Sequence, residues 1–298
     1  MKIAVYGWYG HGNFGDDIAV LGGLKNLFLG HTLKVFSDKQ PLDFTEINRC
    51  DLFVLGGGEL INSDRLFSGL NWANKISVPK IVLGCGVNVD KSKDLKKQVV
   101  KELEQFSYIG VRDFAAYKIL SCFEGLKNKL DLFYDLAFSL PVTETWRGRG
   151  CYSVVFPTDR STRRYDRGIQ LFNTAKCSVD WLRGFNCFSR MVFVPFGGDD
   201  NNDLETCRLL CKSVGNGDIV FKPCLNEVYS LLVDAKLAIA YRLHGYVLAK
   251  LLGVPCVVYP YHWKLSRVYE STRFVDVSVI KCKQALVVSK FCGEKTCV

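Results

Sequence analysis

Leu237-Ala238-Ile239-Ala240-Tyr241-Arg242-Leu243-His244-Gly245, opening an apolar run that ends at Gly253-Val254-Pro255, carries the pattern that decides the fold. Leu237 to Ala240 is apolar enough for a buried strand, and Val247, Leu248, Leu251 and Leu252 repeat at helical spacing. A strand that feeds directly into a helix is the building unit of α/β folds, which bind ligands at the C-terminal ends of their strands. Arg242 and His244 fall on that turn. Inside a helix two residues at i, i+2 point roughly 200° apart, whereas at a turn both can face one cleft. The pair joins a permanent cation to an imidazole that titrates near neutrality, which suits an anionic ligand and proton transfer. An Arg and a His that merely cap a helix have the same local pattern.

The same rhythm extends through the chain. Short β-rich runs at Lys2 to Gly7, Thr32 to Phe36, Leu52 to Leu55, Lys80 to Leu83 and Tyr108 to Val111 alternate with amphipathic stretches. This predicts a parallel sheet with crossover helices. Near Pro141 the pattern breaks into the polar stretch PVTETWRGRG, where a domain boundary is expected. A second series follows at Tyr152 to Phe156, Met191 to Pro195, Asp218 to Phe221, Leu237 to Ala240 and Cys256 to Tyr259. The expectation is an α/β protein of two Rossmann-like, doubly wound domains, residues 1–142 and 150–298, facing a central cleft. At 298 residues the chain has the length for two cores. The pieces after Ser271 fit either domain.

Composition narrows the class. Hydrophobic residues at 48% and charged residues at 23% exclude a disordered or collagenous chain. No run reaches the ~18 apolar residues of a spanning helix, and MKIAVYGWYGHGNFGDD is a strand and loop, not a signal peptide, so a cytoplasmic location is expected. Most of the 13 cysteines, with Cys85, Cys151, Cys224 and Cys256 as examples, are expected to be reduced and packed in or beside strands. Cys207 with Cys211 and Cys292 with Cys297 lack paired CxxC spacing, so no metal site is expected. The formal net charge of +9 favours anionic ligands or an anionic membrane surface. No zinc-finger spacing, aromatic RNA-binding pattern or basic helix points to nucleic acid. Arg160, Arg163, Arg164 and Arg167 make a local basic patch that reads as a solvated loop beside the boundary.

Glycine-bearing loops follow three of the early strands. Gly7 to Asp17 places Gly10, Gly12 and Gly15 loosely on the letters of GxGxxG, a turn whose backbone amides suit an anion. His11 and Asn13 lie in that loop. Asp16 reads either as a ligand contact or as the cap of a helix beginning near Asp17. Gly56-Gly57-Gly58-Glu59-Leu60-Ile61-Asn62 puts three successive glycines at the end of the third strand, so that something approaches the backbone closely there. Gly84-Cys85-Gly86 ends the fourth strand in the same way. Arg112-Asp113 closes the fifth as a cation at the edge or as a helix cap, and Asp135 follows an apolar run. The acidic group Asp199, Asp200 and Asp203 reads as a loop and helix start.

GWYGHGNFGDD, VLGGGELIN, GVRD, YDLAF and YRLHGYVLAKLLGVPCVVYPYHWK resemble, in order and spacing, the polysaccharide pyruvyl transferase family, from about Lys2 to Lys264. The resemblance implies a GT-B-like fold and transfer of the pyruvyl group of phosphoenolpyruvate to two hydroxyls of a glycan sugar, forming a ketal and releasing phosphate. GCGVNVD and Leu136 in YDLAF depart from the family pattern, which leaves acceptor recognition the least transferable part.

Phosphoenolpyruvate carries phosphate and carboxylate, and its site needs permanently charged arginine. Under the resemblance Arg112 and Arg242 form that clamp, Leu243 also contacts phosphoenolpyruvate, Lys264 neutralises the leaving phosphate or is a solvated surface lysine, and His244 protonates the methylene carbon. The base is one of His11, Asp16, Asp17 or His262. Gly10, Gly12, Asn13, Gly57, Gly58, Glu59 and Asn62 line the acceptor or anion loops. No cofactor beyond the phosphoenolpyruvate donor is implied. The acceptor is a glycan, oligosaccharide or lipid-linked sugar, and the basic charge is compatible with peripheral contact at a membrane. Two other readings share the fold: a GT-B glycosyltransferase using a nucleotide sugar, and a catalytically silent glycan- or anion-binding protein.

Overall fold

A computed structural model of the chain describes residues 1–61, 72–87, 97–158, 181–182, 184–185, 190–197, 203–259 and 263–293. It divides into two compact α/β units. The first comprises Met1–Gly10, Ala19–Pro141 and Glu270–Val298, the second His11–Ile18 and Val142–Tyr269.

The first unit is built on strands β1 (Lys2–Gly7), β2 (Thr32–Ser37), β3 (Leu52–Gly56), β4 (Lys80–Cys85), β5 (Tyr108–Val111) and β6 (Leu130–Leu132). All neighbours pair in parallel, in the order β2-β1-β3-β4-β5-β6. The central strands β1, β3 and β4 read as nearly continuous apolar runs because helices cover both faces of such a sheet. Ile3, Val5, Leu52, Val54, Ile81 and Leu83 share one core cluster. The strand order reverses direction between β1 and β3, the place where open α/β sheets leave a crevice. β6, only Leu-Asp-Leu, escaped the sequence reading because three residues are too few for an alternating pattern.

The C-terminal helix Val277–Cys292 belongs with this first unit, although the expected boundary put it in residues 150–298 and the sequence left the pieces after Ser271 open to either domain. Val287 and Val288 join the first core, and Gln284 is fully buried. Its amide donates to the carbonyls of Phe133 and Asp135 at 3.1 and 3.0 Å, while Ser139 donates to its Oε1. A buried amide satisfied on both sides specifies one docking site for this helix.

The second unit holds β7 (Ser153–Phe156), β8 (Met191–Phe193), β9 (Gly217–Ile219), β10 (Leu237–Ala240) and β11 (Cys256–Val258), again all parallel, in the order β11-β10-β7-β8-β9. Its winding reverses between β7 and β10, so the turn after β10 is the switch point of this sheet. The amides of Tyr241 and Arg242 both donate to the carbonyl of Phe156, at 3.1 and 3.2 Å, and tie the ends of the two strands together.

No disulfide occurs among the described residues. Cys85 is buried and Cys256 half-buried, but Cys151 and Cys224 are exposed, correcting the expectation that they pack as core. Both lie just outside a regular element, where apolar neighbours in sequence do not guarantee cover. No helix among the described residues is long and apolar enough to cross a membrane.

Candidate active site

The turn after β10 leads into the helix Leu243–Leu252, with Arg242 as the residue before its first turn. Gly253, at φ 75°, ends it in the left-handed conformation that glycine adopts freely. Gly245 packs against the ring of Phe156, where a Cβ would come within 2.6 Å. His244 is half-buried, and the edge of its ring that carries Nδ1 faces Gly15, where an added Cβ would lie 2.0 Å from that nitrogen. The glycine-rich loop after β1 thus meets the Arg-Leu-His turn through contact between a backbone and an imidazole. Any side chain at residue 15 displaces the ring.

The rest of the loop is arranged to hold Gly15 there. Phe14 stacks on Phe196 with ring centroids 4.1 Å apart and planes 10° from parallel, and its amide donates to the Phe196 carbonyl at 3.1 Å. Phe196 in turn lies 4.8 Å from the ring of Phe156. Asn13 Oδ1 accepts from the amide of Gly15 at 2.9 Å, and its Nδ2 donates to Asp16 Oδ2 at 3.0 Å. The helical stretch Phe14–Val20 is wound as a π-helix, a form found often at functional positions. Asn13 is therefore the side chain that caps the segment, where the sequence offered Asp16, because Asp16 already lies within the wound stretch and bonds backward to Asn13. His11, Asp16 and Asp17 are half-buried on this segment, and Gly12 is exposed.

Arg242 is engaged more fully than a ligand clamp would be. Its Nε donates to Asp203 Oδ2 at 2.9 Å and its Nη2 to Oδ1 at 2.5 Å, a two-point ion pair in which Asp203 is 1% exposed and the Arg242 side chain 16%. The bidentate edge that the sequence reserved for a ligand is used on a carboxylate of the protein. Asp203 opens the helix Asp203–Val214, and nothing in its sequence neighbourhood reveals a partner 39 residues away. One turn further on, Cys207 is fully buried and its thiol is pushed up by burial, with the Asp203 charge adding to the effect. Leu243 is half-buried beside the pair. Lys264 stands half-buried in the first turn of the helix Trp263–Thr272.

The remaining sequence candidates assemble in the first unit. Gly57 and Gly58 have φ 73° and 69°, and a Cβ on Gly57 would strike Val20 at 2.3 Å, so both backbone conformation and space require glycine there. Gly10 likewise has positive φ, and Lys39 donates to its carbonyl. Arg112 is 2% exposed, with Nη2 3.6 Å from Glu59 Oε1 and Nε 3.6 Å from Asp113 Oδ2. Gly86 makes room for the guanidinium, since a Cβ there would lie 2.7 Å from Arg112 Nη2. Asp113 also caps the helix Phe114–Leu120 through its Oδ1, which accepts from the amide of Ala116 at 2.9 Å. The helix-cap reading of the Arg112-Asp113 pair thus holds. Cys85 lies under this corner with Sγ 3.4 Å from the Gly57 carbonyl, and burial outweighs the nearby Arg112 charge in pushing its thiol pKa up. Asn62, His262, Asp199, Asp200 and the arginines at 160, 163, 164 and 167 lie outside the described residues.

Two parallel sheets, each with glycine turns at strand ends, define a two-domain α/β protein of the GT-B-like class. The sequence pattern of the family described as Polysaccharide pyruvyl transferase matches residues 13–262, and the chain belongs to that family. A search among curated proteins finds no match. Solved structures share the fold at low identity. An uncharacterized protein from Klebsiella pneumoniae is 15% identical, with a TM-score of 0.53 over 92% of this chain and 89% of that one. The UDP-GlcNAc 2-epimerase from Neisseria meningitidis bound to UDP-GlcNAc is 10% identical, with a TM-score of 0.56 over 99% of this chain and 100% of that one. The UDP-GlcNAc 2-epimerase from Methanocaldococcus jannaschii is 12% identical, with a TM-score of 0.51 over 99% and 94%.

Proposed function

We propose that the protein transfers the pyruvyl group of phosphoenolpyruvate to two hydroxyls of a glycan sugar, forming a pyruvate ketal and releasing inorganic phosphate. The observation that carries this reading is the His244 imidazole held against Gly15 beside the Arg242–Asp203 pair, within a chain of the pyruvyl transferase family. In this scheme His244 gives its proton to the methylene carbon of phosphoenolpyruvate, and the adjacent carbon becomes electrophilic. One sugar hydroxyl adds there and surrenders its proton to a base, for which His11, Asp16 and Asp17 are the candidates on the described part of the loop. Phosphate departs with the C–O bonding pair and takes up the proton held by the base, and the second hydroxyl closes the ketal while returning its own proton to the His244 imidazole. Arg242 and Lys264 offset negative charge on the donor, and the amides at the start of the Leu243–Leu252 helix add a favourable dipole. Phosphoenolpyruvate is the donor substrate and the scheme uses no further cofactor. Arg112 serves in it as the buried support of the glycine turns, a role that fits its two carboxylate neighbours better than contact with a dianion.

The test is phosphate release from phosphoenolpyruvate across a panel of glycan acceptors, with the product ketal read by NMR. Acceptor-dependent release is expected. His244→Ala should keep phosphoenolpyruvate binding while turnover falls by about 10²–10⁴-fold, the usual contribution of a positioned general acid. Unchanged turnover in that variant removes His244 from the acid role. Release of nucleotide from a nucleotide sugar, with none of phosphate from phosphoenolpyruvate, would transfer the protein to the glycosyltransferase reading. Binding of glycan without any turnover would leave it a receptor.

A further inference from the structure

Arg242 owes its geometry to a residue that no sequence motif marks. Asp203 is 1% exposed, and both of its carboxylate oxygens accept from the guanidinium, one from Nε and one from Nη2. Two parallel charge-assisted bonds fix the plane of the fork as well as its position, which a single contact cannot do. The surroundings keep water from competing: Cys207 is fully buried one turn along the helix from Asp203, and Tyr241, the neighbour of Arg242, is fully buried in the same core cluster. A carboxylate in such a place is costly without its cation, and the cation is compensated by it.

We propose that Asp203 is a positioning residue for ligand binding, acting through Arg242. It holds the guanidinium by its Nε and Nη2 edge, so that Arg242 meets a donor anion as an oriented, charge-compensated group and not as a mobile bidentate clamp. Two consequences follow. Affinity for the anion depends on the orientation of the fork more than on net charge, and a lysine, which keeps the charge but cannot be held at two points, is a poor replacement. The effect of Asp203 on the ligand also vanishes once Arg242 is gone. The choice of phosphoenolpyruvate as the probe rests on the function proposed above, whereas the hold of Asp203 on Arg242 does not.

Two measurements separate these. The first needs no substrate: modification of Arg242 by phenylglyoxal, followed by peptide mass spectrometry, with the half-exposed Arg208 as internal standard. Asp203→Asn should accelerate modification of Arg242 by about tenfold while Arg208 is unaffected, because two charge-assisted bonds no longer restrain it. An equal rate in parent and variant overturns the proposal. The second is kinetic. Asp203→Asn should raise KM for phosphoenolpyruvate by about tenfold with kcat within roughly threefold, and should change neither in an Arg242→Ala background. An equal rise in both backgrounds would mean that Asp203 acts through the fold alone and would also overturn it. If Asp203→Asn does not fold, Arg242→Lys replaces it, with the same rise in KM expected and a parental KM refuting the orientation argument. A parent protein that folds but releases no phosphate from phosphoenolpyruvate defeats the proposed function, and the phenylglyoxal rates still decide the role of Asp203.

Discussion

The Arg112 corner of the first unit and the Arg242 corner of the second are built from the same residue types in different surroundings. Each places an arginine just past the C-terminal end of a parallel strand beside a buried carboxylate, with a glycine making room near by. At Arg112 the guanidinium is sealed between Glu59 and Asp113, both contacts are 3.6 Å, and Gly86 admits the group itself. At Arg242 the bonds to Asp203 are short, part of the side chain stays exposed, and the glycine admits an imidazole. A buried cation between two acids is expected to act as a structural strut, because the carboxylates already offset its charge. The Arg242 side chain, at 16% exposure, keeps a face open to solvent while it is paired. The same residue type thus sits in two different surroundings, buried at Arg112 and partly exposed at Arg242.

The largest effect that would break this contrast is on stability. Arg112→Ala leaves Glu59 and Asp113 as buried carboxylates without their cation, and urea unfolding should show a loss of about 3–5 kcal/mol. A loss below roughly 1 kcal/mol would mean that the corner is not a strut. Gly15→Ala should do the reverse: folding is largely kept, but the methyl group displaces the His244 ring, and kcat should fall about a hundredfold, as ångström-scale misplacement of a catalytic group commonly costs. Full turnover with alanine at this position would show that the imidazole does not need its present seat. Trimming the support beneath is milder. Phe14→Leu removes the stack with Phe196 and should cost about 1 kcal/mol in unfolding free energy, with a smaller drop in kcat than Gly15→Ala.

The smallest effect concerns Cys85 beneath the first corner. Burial raises its folded-state pKa above the ordinary thiol value of 9.0, so the folded chain keeps a proton that the unfolded chain releases. Its contribution is complete below the unfolded pKa and declines as pH rises past it, because the unfolded state then binds fewer protons. Cys85→Ala should therefore flatten the alkaline decline of stability above about pH 9, and Cys85 should resist alkylation in native protein while exposed Cys151 and Cys282 react. Rapid alkylation of Cys85 at neutral pH would contradict the sealed first corner.

Much of the fold was legible because parallel strands buried on both faces are written as apolar runs and their helices as 3.6-residue repeats. The runs at Lys2, Thr32, Leu52, Lys80, Tyr108 and Leu237 all begin strands at those residues. The glycines at 57 and 58 were legible for a similar reason, since positive φ restricts what a position can hold. β6 and the docking of the C-terminal helix were not, the first being too short to repeat and the second depending on Gln284 finding the carbonyls of Phe133 and Asp135.

The sequence by itself determined two α/β units, the turns that carry Arg112, Arg242 and His244, and membership of a family of pyruvyl transferases. Only the tertiary structure decided which groups touch. Asp203 reaches Arg242, Gly15 meets His244 and Phe14 stacks on Phe196 across sequence gaps that carry no periodicity. Local spacing encodes which residues share an element, but the partner of a buried charge is chosen by packing between elements, where the cost of leaving it unpaired selects one arrangement.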